Sequence, residues 1–269
     1  MSKVSADFGC LFDLESDNLT LEKEQERNMT CTEKNGRTTK YNFDVRDTIS
    51  ECRENELIMA SDFYKTKLQD HVSEPAFYKT LQRMHDCGEI EKVAKGIYYI
   101  PKKSKYGVVQ PTDKDIIETF AQGKRGMVVG YALYNYLNLT TQVPKVVQVL
   151  SNVIDGQKKT IRNVVIQRVS IEFSDDVVSI IQCMEVLQDF AKIQDINRKE
   201  FIRYTQGFAT GFKMDAFERV ITARTYKKAT IAFLRDVLDF YHVPNTLGMY
   251  LSSMSNYKYP RMEELYETT

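Results

Sequence analysis

The sequence predicts an α+β fold, and two observations along the chain carry that prediction. Between residues 43 and 106, three stretches with helical apolar spacing are followed by two short β-prone runs. From residue 110 onward, short apolar runs of strand length alternate with helical stretches, and the last part of the sequence is helical in pattern. A chain of 269 residues is long enough for about two domains, each with its own core.

The first 42 residues differ in composition from the rest of the chain. Residues 1–60 contain 8 basic and 13 acidic side chains, and residues 1–42 are rich in Ser, Thr, Asn and Glu. A segment with so few apolar side chains cannot bury enough surface to offset the entropy lost on ordering it. We therefore expect residues 1–42 to form an acidic, poorly ordered tail or arm.

Two short helices are predicted after this segment. Apolar residues at helical spacing predict a first helix that ends near Asn55, namely Phe43, Val45, Ile49 and Cys52. A second helix begins at residues 59–62, where Ser61 or Asp62 can act as its N-cap. Its buried side is expected to consist of Phe63, Tyr64 and Leu68.

The third predicted helix has clearer boundaries. Ser73 can cap its N-terminus, Pro75 is tolerated in its first turn, and Cys87–Gly88 is a typical C-terminal stop. Three apolar residues spaced i, i+4 and i+7 place one buried stripe along this helix: Phe77, Leu81 and Met84.

A hairpin is predicted next. The β-prone runs are residues 90–94 and 97–101, and Lys95–Gly96 is the turn between them. Three helices followed by a two-stranded ribbon is the arrangement of the winged helix-turn-helix. The sequence therefore predicts a DNA-binding domain of that type over residues 43–106.

Residues 110–269 predict a second, mixed α/β domain that ends in helices. Its predicted strands are short and rich in Val and Ile, at 127–129, 146–150 and within 160–173. Its predicted helices have apolar residues at helical spacing, at 113–121, 132–137, 177–191, 213–225 and 228–241.

The sequence contains no arrangement typical of an active site or a metal site. Its three histidines, His71, His85 and His242, are far apart, and its five cysteines include no CxxC pair. We therefore expect no catalytic residue, no cofactor and no metal, and we expect that the protein is not an enzyme. The cysteine spacing and the absence of a signal peptide or a bilayer-length apolar run predict a reduced, cytoplasmic protein without a membrane partner.

Two short polar segments have both a chemical and a structural interpretation. Gly123–Gly126 is basic and flanked by glycines, so it can meet a phosphate, but a plain turn is the commoner use of such a segment. Asp175 and Asp176 place two carboxylates together after Ser174, a pattern typical of a capped helix with acids in its first turn.

The polar face of the third helix has the chemistry needed to read DNA. In a helix-turn-helix the second helix of the motif enters the major groove, and here that helix is 74–87. Away from its apolar stripe it carries Tyr78, Lys79, Gln82 and Arg83. Gln pairs with adenine, and Arg or Lys pairs with guanine, so this face suits direct contact with base edges.

Lysines continue the basic surface into the ribbon. Residues 92–106 contain five lysines and no acidic side chain: Lys92, Lys95, Lys102, Lys103 and Lys105. We expect Lys92 and Lys95 to lie on or beside the wing and to contact phosphates or the minor groove.

Five blocks of sequence resemble a known family. The similar blocks are FYKTLQRM (77–84), GEI (88–90), KGIYYIP (95–101), GYALYN (130–135) and LTTQVP (139–144). They resemble the AbiEi antitoxins of the bacterial AbiE abortive-infection systems, which are type IV toxin–antitoxin modules. The resemblance covers roughly residues 45–190.

That resemblance implies a specific function. AbiEi antitoxins repress transcription of their own operon through a winged helix, and their C-terminal domain counters a nucleotidyltransferase-like toxin, AbiEii, without a stable complex. The expected partners are therefore double-stranded DNA with inverted repeats at the chain's own promoter and an AbiEii-like toxin in phage defence. The DNA-reading positions of the family correspond to the four helix residues and two ribbon lysines already named, and no antitoxin residue in 110–269 is assigned.

Two other functions remain compatible with the sequence. The first is a winged-helix transcriptional regulator whose 110–269 domain senses a ligand, which a ligand-dependent melting shift would indicate. The second is an enzyme of nucleic-acid metabolism that uses the winged helix for targeting. Metal-dependent turnover that is lost when Asp175 or Asp176 is mutated would indicate the second.

Overall fold

A computed structural model describes residues 44–105 and 107–267 of the chain. The predicted arm at 1–42 and Phe43 of the predicted first helix lie outside the described residues. The protein is mixed α+β, as the sequence predicts, and it divides into two compact units between Gln110 and Pro111. Each unit has its own hydrophobic core.

The first unit combines short helices with two small sheets. Its helices are α1 (Val45–Ser50), α2 (Ala60–Phe63, continued by a π-helical turn over Tyr64–Leu68) and α3 (Glu74–Asp86). Its strands are β1 (Leu57–Met59), β2 (Glu91–Ala94), β3 (Ile97–Tyr99), β4 (Lys102–Ser104) and β5 (Gly107–Val109). The first three form an antiparallel sheet in the order β1-β3-β2, and β4 and β5 pair separately.

Two features of this unit differ from the expectation. Helix α1 ends at Ser50 rather than near Asn55, and Asn55, with a left-handed φ of 61°, leads the chain into β1. Strand β1 pairs with β3, so the expected two-stranded ribbon belongs to a three-stranded sheet. A three-residue strand is too short to show the alternation by which strands are recognised in a sequence.

The core of the first unit fixes the orientation of α3. Phe77 and Leu81 are fully buried and Met84 is 3 % exposed, as their spacing predicts. They share one apolar cluster with Ile90 and with Tyr98 of β3. Burying three large side chains along one stripe leaves the opposite side of α3 free to face solvent.

The second unit is built on a four-stranded sheet and a group of helices. Its strands are β6 (Gly126–Val129), β7 (Val147–Ser151), β8 (Lys158–Ile161) and β9 (Val164–Arg168). Its helices are α4 (Asp113–Ala121), α5 (Tyr131–Tyr136), α6 (Asp175–Asp189), α7 (Arg198–Thr210), α8 (Met214–Ala223), α9 (Lys228–Phe240) and α10 (Met262–Glu267). The sheet order is β6-β7-β9-β8, and β7 and β9 are its parallel pair.

Helix α6 lies at the centre of the helical part of this unit. It contacts α7, α8 and α9, while α4 packs on the sheet through Ile116 and Phe120, both fully buried. The sequence patterning misses α7, because Thr205 interrupts the apolar stripe of Phe201 and Phe208. Segment 170–173, included among the expected strands, forms no strand.

The two free cysteines of the described residues differ in burial. Cys52 and Cys183 are free thiols, and burial raises the pKa of the Cys183 thiol well above its usual value.

Candidate nucleic-acid interface

Helix α3 presents a polar face on the side opposite its buried stripe. Lys79, Gln82 and Arg83 are exposed, and we call these three residues the α3 face. Consecutive residues of an α-helix are turned by about 100°, so positions 79, 82 and 83 project away from the stripe formed by 77, 81 and 84. The three helix residues predicted to read bases, Lys79, Gln82 and Arg83, are therefore exposed on one side of α3.

The side chains of the α3 face differ in their existing contacts. The Gln82 amide donates a hydrogen bond from Nε2 to Oδ1 of Asp86 at 2.8 Å, which engages one of its two N–H groups. Lys79 and Arg83 are one helical turn apart and form no ion pair with any carboxylate within 44–105 or 107–267. These two cations are the freely available charges of the face.

Tyr78 lies at the edge of this face. Its ring packs edge-on against Phe77, with centroids 5.2 Å apart and an interplanar angle of 61°. The side chain is 37 % exposed, so it is shared between the core and the surface. Tyr78 therefore flanks the α3 face and supports Phe77.

Strands β2 and β3, which we call the first ribbon, follow α3 after a short turn. Lys92 of β2 is exposed and lies opposite Tyr98. The Tyr98 ring packs edge-on against the His85 ring of α3, with their centroids 6.3 Å apart. Lys95 is exposed in the turn beside Gly96, which has a φ of 74°. The Gly96 carbonyl accepts a hydrogen bond from the Ala60 amide at 2.9 Å, which ties this turn to the start of α2.

Strands β4 and β5 form a second ribbon that sequence patterning did not predict. All six of its residues are exposed. Asn55 holds the start of this ribbon. Its backbone N–H donates to the Ile100 carbonyl at 2.9 Å, and its side-chain oxygen accepts from the backbone N–H of Lys102 at 3.4 Å. The lysine run of the sequence is thereby divided between two ribbons, with Lys92 and Lys95 on the first.

The second unit contains a buried polar cluster that sequence reasoning missed. Glu185 of α6 is 6 % exposed, and its Oε1 lies 3.0 Å from Nε of Arg224. The Tyr134 hydroxyl donates to the Glu185 carbonyl and to Oδ2 of Asp189, both at 3.1 Å. Burial and the two nearby carboxylates raise the pKa of Tyr134 well above its usual value. Arg224 and Tyr134 are 39 and 51 positions from Glu185 in the sequence, so no local pattern predicts that they meet.

The cluster has a structural explanation. Glu185 satisfies the Arg224 guanidinium at the end of α8, and Tyr134 joins α5 to α6. A buried charge is tolerated when it is paired and hydrogen-bonded, as here. These contacts connect three elements of the second unit.

The two polar segments noted in the sequence are engaged in local structure. Lys124 pairs with Glu172 at 3.1 Å, and a Cβ on Gly126 would collide with the carbonyl oxygens of Phe120 and Leu150. Asp176 pairs with Lys213 at 2.9 Å in the first turn of α6. Within the described ranges, no three His, Cys, Asp or Glu residues are grouped so that they could hold a metal ion.

None of the helices within the described part of the chain has the length and apolar character needed to cross a bilayer.

A comparison with protein families gives one assignment. The profile of DUF6088, a family of unknown function, matches residues 44–178, half of the chain. The chain belongs to this family. The DUF6088 match begins one residue before α1 and ends within α6, so it includes the α3 face, both ribbons and the four-stranded sheet.

A comparison with solved structures finds a weak likeness. The DUF6088 chain is similar to the crystal structure of the RV2827C protein from Mycobacterium tuberculosis, with 10% sequence identity and a TM-score of 0.37. The alignment covers 77% of this chain and 79% of that chain. A likeness at this TM-score carries no argument about fold or function. No curated protein matches the chain.

Proposed function

We propose that this DUF6088 protein is an AbiEi-like antitoxin that represses its own operon by binding DNA. In this proposal the first unit is a winged helix-turn-helix, and the second unit counters a nucleotidyltransferase-like toxin. The observation that carries the DNA-binding part is the α3 face, where two cations that pair with no carboxylate of the described residues project beside the Gln82 amide from a helix whose other side is buried.

The order of elements in the first unit supports the winged-helix assignment. A helix, a strand, two helices and two strands follow one another, and the three strands form a sheet in the order β1-β3-β2. In this assignment α2 and α3 are the helix-turn-helix and the first ribbon is the wing. Helix α3 then enters the major groove and the wing contacts the backbone beside it.

The charges of the first unit are distributed as this mode of binding requires. Lys79 and Arg83 lie within α3, and the two exposed acids of that helix, Glu74 and Asp86, are its first and last residues. The N-terminal half of a recognition helix approaches the base edges, where the Glu74 carboxylate can accept a hydrogen bond from cytosine, and Asp86 lies at the opposite end. Lys92 and Lys95 add positive charge on the first ribbon, where phosphate contacts position the domain.

Binding of the full chain to its own upstream DNA tests the proposal. We expect Arg83→Ala and Lys79→Ala each to reduce affinity for the upstream duplex by about 1–3 kcal/mol and to relax its sequence preference. Arg219→Ala is the matched control, because Arg219 is an exposed helical arginine of the second unit. Equal affinity of the Arg83→Ala, Lys79→Ala and Arg219→Ala variants would exclude α3 as the DNA-reading helix.

The antitoxin part of the proposal is supported by the sequence resemblance at 130–135 and 139–144. Its test is growth of cells that express the product of the neighbouring gene. If that product is the toxin, co-expression of this full chain restores growth, and the two proteins do not co-purify as a stable complex. Arrest that persists in the presence of the full chain would exclude the antitoxin function.

A second candidate is a regulator whose second unit senses a ligand, and one cavity favours it. This cavity of about 380 Å³ is lined mainly by polar residues, among them Arg235, Ser252, Asn256, Tyr257 and Arg261. Arg235 pairs with Asp239 and Arg261 with Asp236, so an anion in the cavity would have to share these two guanidinium groups with the carboxylates. A phosphate-dependent rise in melting temperature that Arg235→Ala abolishes would support this candidate, and no shift with phosphate would exclude an anion sensor of this kind.

A further inference from the structure

The second ribbon carries positive charge on both of its faces. Neighbouring residues of a strand point to opposite faces, so Lys102 and Lys103 project to opposite sides of the ribbon. Lys102 lies opposite Val109 and Lys103 opposite Val108 in the antiparallel pairing. Each face therefore presents one lysine beside one valine.

The ribbon has no core of its own. Its six residues are exposed, with Val108 at 50% and Val109 at 38%. An isolated two-stranded hairpin is at best marginally stable in water. The two hydrogen bonds of Asn55 hold its base, and the remainder has the exposed apolar and charged surface expected of a binding element.

The second ribbon lies within a short length of chain of the turn of the first ribbon. Lys95 and Lys102 are seven residues apart, and extended chain rises by about 3.3 Å per residue, so the separation is at most about 23 Å. That distance corresponds to about seven base pairs at about 3.4 Å per step. One duplex is long enough to contact both ribbons.

We propose that the second ribbon binds in a groove of the same double-stranded DNA that α3 reads, with Lys102 and Lys103 on the phosphates of opposite strands. The inference rests on the proposed DNA-binding function. A groove has phosphates along both walls, so it complements a ribbon with a cation on each face, whereas the flat acidic surface of a protein would pair with only one. The major groove is wide enough to admit a two-stranded ribbon.

The salt dependence of DNA binding by the full chain tests this proposal. Each phosphate contact contributes about 0.9 to the slope of log K against log salt concentration. We expect Lys102→Ala and Lys103→Ala each to lower the slope by about 0.9, and the double variant to lower it by about 1.8. The ratio of affinities for upstream and scrambled duplexes should stay unchanged, because phosphate contacts carry no sequence information.

The duplex used should extend a full helical turn beyond both ends of the footprint. The control removes two consecutive lysines of strand β8 in the second unit, Lys158 and Lys159, and should leave the slope unchanged. Lys102→Arg with Lys103→Arg keeps both charges and should retain the wild-type slope. That retention distinguishes loss of charge from damage to the ribbon.

Other outcomes overturn the proposal in distinguishable ways. A slope that changes for only one of the two single variants would exclude contacts on both walls. A wild-type slope in the double variant, with binding still sensitive to Arg83→Ala, would exclude the ribbon and leave the proposed function intact. Absence of DNA binding by the wild-type chain would exclude both.

Discussion

Helices α3 and α6 use polar residues in opposite ways. In α3, three residues are buried and the polar ones project into solvent. In α6, eight residues are buried, and one of them is the charged Glu185, which is held by Arg224. A helix buried on several sides must satisfy its polar groups internally, whereas a helix buried along one stripe leaves its polar groups in contact with water.

This contrast predicts that different substitutions affect the stability of the protein and its binding of DNA. Changes to the α3 face should alter DNA binding with little effect on folding. Changes to the Glu185 cluster should alter folding of the second unit with little effect on DNA binding. Four substitutions test this separation.

The largest expected effect is on the core that orients α3. Phe77→Ala removes a fully buried ring and leaves a cavity, so we expect the free energy of unfolding of the first unit to fall by about 3–5 kcal/mol. DNA binding should be lost with it. Val108→Ala, at a residue 50% exposed in the same unit, should change the free energy by no more than about 0.5 kcal/mol. Chemical denaturation measures both, and equal values would contradict the packing described for α3.

The next effect concerns the buried ion pair of α6. Arg224→Ala leaves the Glu185 carboxylate buried without its partner, and we expect the second unit to lose about 2–4 kcal/mol of stability. Arg235→Ala breaks an exposed pair with Asp239 and should cost less than about 1 kcal/mol. Thermal melts compare the two variants. If Arg224→Ala also weakened DNA binding by a properly folded chain, the proposed separation would be wrong.

A smaller effect is expected at the end of the α3 face. Asp86→Ala releases the Gln82 amide and removes a carboxylate near the DNA, so we expect binding of upstream DNA to strengthen by about 1 kcal/mol. The free energy of unfolding should change by no more than about 0.5 kcal/mol, because the Gln82–Asp86 contact is exposed. Anisotropy titrations measure the affinity, and weaker binding would indicate that Asp86 has a different role.

The smallest effect is a pH dependence of the second unit. Tyr134 stays protonated in the folded chain because its pKa is raised by burial and by Asp189 and Glu185, while in the unfolded chain it ionises near 10. Its contribution to stability is therefore present below pH 10 and is lost as the pH rises further. Tyr134→Phe should cost about 1 kcal/mol at neutral pH and make the loss above pH 10 shallower. Melting temperatures of the wild-type and Tyr134→Phe chains, measured across pH 8 to about 11, test this prediction. The same alkaline loss of stability in both chains would contradict the contribution assigned to Tyr134.

The sequence predicted what depends on local pattern. The boundaries of α3, its buried stripe at 77, 81 and 84, and the exposure of Lys79 and Arg83 follow from spacing and capping residues alone. The early end of α1 and the strand β1 depend on Asn55 and on pairing with β3, which local pattern does not show.

Long-range contacts account for what the sequence did not show. The parallel pairing of β7 with β9 joins strands with another strand between them in the sequence. The Glu185–Arg224 pair links side chains 39 residues apart. The contact between Gln82 and Asp86 has i,i+4 spacing, a local signal from which it could have been inferred.

The most direct test of the central claim is the affinity of the full wild-type chain for its own upstream duplex and for a scrambled duplex of equal length, each titrated over a range of salt concentrations. We expect tighter binding to the upstream duplex at every salt concentration and a steep fall of both affinities with salt, since phosphate contacts release counterions. Equal affinities for the two duplexes, or no binding at low salt, would contradict the assignment of α3 as a DNA-reading helix.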